Sequence, residues 1–168
     1  MKRGNTHGAG FARTRRSRPP RLYRVILPVG DIERAASYYT ELLGLEGMRV
    51  SPGRHYFDCG GVILALYDPL ADSDNRQARP NFDHVYFAVP DLHAVYRRAK
   101  RLGNLSDETG DGNLPMGKIA RRPWGERSFY LRDPFGNPLC FVDNKSLFTG
   151  KRGASQRRPL RWRRRRRR

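Results

Sequence analysis

The chain repeats itself. Residues 25–32, Val-Ile-Leu-Pro-Val-Gly-Asp-Ile, align with residues 85–92, Val-Tyr-Phe-Ala-Val-Pro-Asp-Leu, at an offset of 60 residues. Val25 matches Val85, Val29 matches Val89 and Asp31 matches Asp91, and Leu42 and Leu102 keep the same offset further on. A period of this size marks a repeated supersecondary unit.

Each unit opens with a β-rich run, Leu22–Val29 or His84–Val89, which stops at a turn residue, Gly30 or Pro90. Asp31 and Asp91 follow where a carboxylate can accept the free amide hydrogens of a first helical turn. Ile32, Ala35, Ala36, Tyr39, Leu42 and Leu43 then recur at helical spacing, as do Leu92, Val95, Tyr96, Ala99 and Leu102. Gly44 and Gly103 stand where those helices should end. Three strands are expected after each helix: Glu46–Ser51, Arg54–Cys59 and Val62–Asp68 in the first unit, and Lys118–Pro123, Glu126–Arg132 and Pro138–Asp143 in the second. Gly60-Gly61 makes a tight hairpin, and Asp133-Pro-Phe-Gly-Asn-Pro138 is a dense turn signal. Pro69–Asn81 reads as a polar linker and Asn104–Gly117 as a long loop. The order is βαβββ–βαβββ. This is an α+β fold in which a helix covers one face of each small sheet and the remaining faces curl into a cup, the kind of concavity that holds small molecules.

Charge separates this body from its ends. Residues 21–149 hold 17 Lys and Arg against 16 Asp and Glu, so nearly all of the net charge of +18 lies in the termini. The division expected is a disordered basic arm at 1–20, a folded domain at 21–147 and a disordered Arg-rich tail at 150–168. Within the domain, repeat one spans 21–68, the linker 69–81 and repeat two 82–147. A nearly neutral body shows no sign of a nucleic-acid-binding face. The tail, ending in Arg163–Arg168 with Trp162 beside it, could hold nucleic acid or another polyanion without sequence preference. The longest apolar run, Val62–Tyr67, is too short to span a bilayer, and no apolar leader follows the basic start. With only Cys59 and Cys140 there is no disulfide framework, and a cytoplasmic, reducing location is expected.

Three stretches bear a family pattern: Val25–Leu43 with its Tyr38-Tyr39 pair, His84–Leu92, and Arg127–Val142 with its Asp-Pro-x-Gly-Asn turn. Over about Arg21–Leu147 the chain resembles the vicinal oxygen chelate superfamily, which includes glyoxalase I, extradiol dioxygenases, fosfomycin-resistance enzymes and bleomycin-resistance proteins. The resemblance implies the tandem βαβββ, glyoxalase-like fold and a ligand cleft. It leaves the activity open, because one fold hosts several chemistries.

Metal-using members draw one His, Glu or Gln ligand from the first and the last strand of each repeat. By that resemblance the four positions here are Arg24, Leu64 or Ala65, His84 and Phe141. Only His84 could ligate, with His55 as an outlying second imidazole, whereas a divalent ion usually takes three or four protein ligands. No cofactor is therefore expected. Arg24 and His84 hold equivalent positions and should both face the cleft. Arg24 would offer its donor fork to an anion, or would pair with Asp83 or Asp143. Tyr86 alternates with His84, Phe141 would form an apolar wall, Trp124 would shape the rim, and Tyr130, Tyr56 and Arg54 are looser candidates. No nucleophile–base pair is visible. The expected function is binding of a small aromatic or anionic molecule in a metal-free cleft. A lyase or dioxygenase of the same superfamily and a polyanion-associated protein are the alternatives. The cleft could close within one chain or across a homodimer, and the dimer is the expectation.

Overall fold

The computed structural model describes residues 19–110 and 113–150. The basic arm, apart from Pro19 and Pro20, and the Arg-rich tail, apart from Gly150, lie outside the described residues, as do the expectations placed on Trp162 and Arg163–Arg168.

The first repeat runs β1 (Arg24–Pro28), α1 (Ile32–Leu43), β2 (Met48–Ser51), β3 (Arg54–Asp58) and β4 (Ile63–Tyr67). The second runs β5 (Val85–Val89), α2 (Leu92–Leu102), β6 (Thr109–Gly110), β7 (Leu114–Pro115), β8 (Ala120–Arg121), β9 (Arg127–Arg132) and β10 (Pro138–Asp143). The caps form as their residues dictate. Asp31 accepts from the Arg34 amide at 3.0 Å, and Asp91 from the Ala94 amide at 2.9 Å. Gly44 and Gly103 close the helices at φ 67° and 72°.

The fold is the expected α+β tandem repeat, and its halves are two distinct four-stranded sheets, ordered β1-β4-β3-β2 and β5-β10-β9-β8. In each, the strand before the helix pairs in parallel with the last strand of its repeat, β1 with β4 and β5 with β10. The small β6–β7 hairpin was not expected within the Asn104–Gly117 loop. That loop lies along β9: the Arg132 amide donates to the Asn104 carbonyl at 3.2 Å and the Tyr130 amide to the Met116 carbonyl at 2.9 Å. At Gly117 a Cβ would stand 2.0 Å from the Ser106 carbonyl oxygen, so only glycine passes there.

One core serves both repeats. Leu27, Tyr39, Leu42, Phe57, Leu64 and Leu66 from the first pack in the same cluster as Leu92, Val95, Phe129, Leu131, Leu139 and Phe141 from the second. The helices touch, and Arg98 of α2 donates to the Leu42 and Leu43 carbonyls at 2.9 and 3.2 Å. A cation at the C-terminal end of α1 also meets the negative end of its dipole. Tyr39 of α1 donates to Asp133 at 2.7 Å, and Asn137 donates through Nδ2 to the Pro28 carbonyl at 2.8 Å. The predicted turn is therefore a clamp between the repeats.

His55 lies on the core side of β3, beside Phe57 at 5.1 Å between ring centroids, and both of its ring nitrogens are buried with no hydrogen-bond partner among the described residues. It is not a second metal ligand near His84, for it lies in the other repeat on the helix-facing side. Burial, reinforced by Arg49, holds its pKa below the usual histidine value, while Glu33 opposes the shift. The neutral ring is the folded form, so this contribution is intact above the unfolded pKa near 6.5 and is lost as pH falls through the lowered folded value. His55→Leu is expected to flatten the fall of stability below pH 6.5. Denaturant midpoints measured across that range check this, and unchanged curves would reject it.

Candidate functional site

Cα register decides which side chains share a face, because paired residues project to the same side of a sheet. In the first sheet Arg24 pairs with Ile63, Ile26 with Ala65 and Pro28 with Tyr67, and β3 adds Tyr56 opposite Ala65 and Arg54 opposite Tyr67. Their neighbours Leu64 and Leu66 belong to the core, so this set forms the helix-free face. Of Leu64 and Ala65, it is Ala65 that lies on it.

The Arg24 guanidinium lies between two rings, 5.0 Å from the Tyr23 centroid and 4.9 Å from that of Tyr56. Its Nε is buried without an acceptor, and no salt bridge reaches it among the described residues. The Asp143 carboxylate instead lies 3.5 Å from Arg127. Arg54 is held by Asp72 at 2.6 Å and lies over Tyr67 at 4.4 Å.

In the second sheet Cys140 pairs with both Tyr86 and Tyr130, Val142 with Ala88 and Ser128, and Ser128 with Ala120. His84 joins this face edge-on to Tyr130 at 5.1 Å and 6.3 Å from Tyr86, and the two tyrosine rings lie 6.5 Å apart. Burial lowers the His84 pKa, reinforced by Arg132 and opposed by Glu108 and Asp83, so at neutral pH the ring is a neutral donor–acceptor. Burial raises Tyr130 and Tyr86, so both remain protonated.

Trp124 stands between two cavities on this side. One, of about 460 Å³, is lined by Tyr86, Ala88, Trp124, Glu126, Leu147 and Phe148. The other, of about 200 Å³, is lined by Gly110, Met116, Arg122, Pro123, Trp124 and Tyr130. Trp124 is oriented by its indole N–H, which donates to Glu126 at 2.7 Å.

The structure thus brings His84, Tyr86, Tyr130 and Trp124 together and keeps Arg24 on the other sheet, among tyrosines of its own. Phe141 is a correction. It is fully buried in the core, stacked on Phe87 and Phe129 at 5.1 and 5.4 Å, and it forms no wall of this face. The parallel register of β10 on β5 turns Cys140 to the face instead. Arg122 and Glu126 were also missed. They carry no motif, and the loop that places Arg122 gives no sequence signal of its fold.

The comparisons with known proteins agree with this geometry. Residues 21–141 match the family model described as the Glyoxalase/Bleomycin resistance protein/Dioxygenase superfamily. The chain belongs to the glyoxalase/bleomycin resistance/dioxygenase superfamily. It is 25% identical to a probable lactoylglutathione lyase of Vibrio parahaemolyticus over 79% of this chain and 97% of that one. The crystal structure of a lactoylglutathione lyase from Agrobacterium tumefaciens superposes with a TM-score of 0.57 at 26% identity, covering 77% of this chain and 97% of the other. A bleomycin-binding protein solved with bleomycin superposes at 0.52 with 23% identity, over 75% and 99%, and shows the same fold.

Within this superfamily the metal-ligand positions expected from the resemblance become, once register is known, Arg24, Ala65, His84 and Cys140. They do not fit a divalent ion. Arg24 is a fixed cation, Ala65 has no donor atom, and the Cys140 thiol is pushed up to about 12 by burial, although Tyr130 and Ser128 oppose the shift. Among the described residues no three His, Cys, Asp or Glu side chains gather as a metal site.

Proposed function

We propose that this superfamily member binds a small aromatic or anionic molecule without a divalent metal, and that the second sheet's helix-free face is the principal wall of the site. One observation carries the proposal: of the four positions where metal ligands would be needed, a cation, a methyl group and a protonated thiol fill three and leave only the His84 imidazole as a donor. In their place the face offers aromatic surface with neutral hydrogen-bonding groups, which suits a planar ligand.

A second copy completes the cleft in this reading. Ile26, Met48 and Tyr86 remain 45%, 64% and 57% exposed on the helix-free faces, and apolar groups placed so invite cover. Both cysteines are free, which supports a reducing, cytoplasmic setting, and no helix among the described residues is long and apolar enough to cross a membrane.

Elemental analysis of the untagged protein, with His84→Ala beside it and the mass taken by sedimentation, tests the proposal. The expected result is a dimer with far less than one equivalent of divalent metal and with folding indifferent to chelator. Near-stoichiometric metal that disappears in His84→Ala would overturn it and favour a lyase or dioxygenase. A monomer would remove the second copy from the site.

A further inference from the structure

We propose that Arg122 anchors the acid group of that ligand, which makes the ligand class a planar aromatic molecule bearing one carboxylate or sulfonate. The inference rests on the small-molecule reading above and assigns it a recognition residue. Arg122 is only 5% exposed, and its guanidinium keeps its charge under all ordinary conditions. Nε donates to the Ser128 hydroxyl at 3.0 Å, and Nη2 faces the Ser128, Met116 and Lys118 carbonyls at 3.0, 3.2 and 3.3 Å.

All of these acceptors are neutral. Nη1 has no acceptor among the described residues, and no carboxylate there comes within salt-bridge range of the group. Glu126 is committed elsewhere, one oxygen to the Trp124 indole at 2.7 Å and the other to the Phe148 amide at 3.0 Å. The Tyr130 ring, 4.9 Å from Cζ, softens the burial of the charge without neutralising it. A buried cation held rigidly by neutral acceptors is short of a counter-charge, and an incoming anion supplies it.

Position gives the ligand its direction. Arg122 lines the cavity of about 200 Å³ together with Met116, Trp124 and Tyr130. The cavity of about 460 Å³ also has Trp124 in its wall and is lined by Tyr86, Leu147 and Phe148, with Glu126 the only charged group in its lining among the described residues. A ligand whose aromatic body lies against Trp124 can direct its anion away from Glu126 and toward Arg122.

The probes are 2-naphthoate and its neutral isostere 2-naphthamide, titrated calorimetrically into the full chain and into Arg122→Met and Arg24→Met. The expected result is at least tenfold tighter binding of 2-naphthoate to the wild-type protein, a preference lost in Arg122→Met and kept in Arg24→Met. Because Arg122→Met also loses carbonyl contacts, the Arg122 Nε–H resonance of the wild-type protein, assigned by its absence in Arg122→Lys, is followed as well. It should shift with 2-naphthoate and not with 2-naphthamide. Equal binding of both probes, a preference that follows Arg24, or an unmoved Arg122 resonance would overturn the inference and leave the small-molecule reading standing. Failure of both probes to bind would overturn both.

Discussion

Asp133→Ala is expected to destabilise the protein by about 3–5 kcal/mol, the sum of several buried partners left without an acceptor at roughly 1–3 kcal/mol each. Asp133 is 3% exposed and accepts four hydrogen bonds. They come from the Tyr39 hydroxyl at 2.7 Å, the Phe135 amide at 2.9 Å, and the Asn137 amide and Nδ2, each at 2.8 Å. Three of these lie within the turn, and the Tyr39 bond ties it to α1. Tyr39→Phe removes only that bond and should cost about 1–2 kcal/mol, because the ring stays packed and one acceptor is left short. Urea denaturation of both variants checks the ratio. A loss below 1 kcal/mol in Asp133→Ala would show that the clamp does not join the repeats.

Phe141→Ala should cost about 3–5 kcal/mol, the range for removing a fully buried ring from a core that cannot collapse around the void. The ring lies within 16° of parallel to both Phe87 and Phe129, so each neighbour loses a face. Phe141→Leu, which keeps most of the volume, should cost about 1–1.5 kcal/mol. Neither loss comes from the ligand face, so Phe141→Leu should bind 2-naphthoate as the wild type does. Weaker binding with unchanged stability would return Phe141 to the site.

The contrast between Phe141 and Cys140 shows where sequence reasoning stops. Alternation along 138–143 is legible, but nothing local says which parity meets the helix. That choice comes from the pairing of β10 with β5, a contact between segments more than 50 residues apart. The same limit applies to Leu64 and Ala65, which stayed open until β1 and β4 were seen in register. Tyr38 was also left off the buried face of α1, although burial raises its pKa well above the usual phenol value and the nearby Asp133 reinforces the shift.

By itself the sequence determined the repeat, the two capped helices, the hairpin at Gly60-Gly61, the family and the candidate aromatics, because each is written in short-range chemistry or in a period that can be counted. Tertiary structure alone decided that Asp133 reaches a tyrosine 94 residues away and that Arg24 and His84 lie on separate sheets. It also decided that a loop without periodicity folds along β9 and leaves Arg122 a buried cation. These depend on register and on close approach between distant segments, which residue types at one position do not encode.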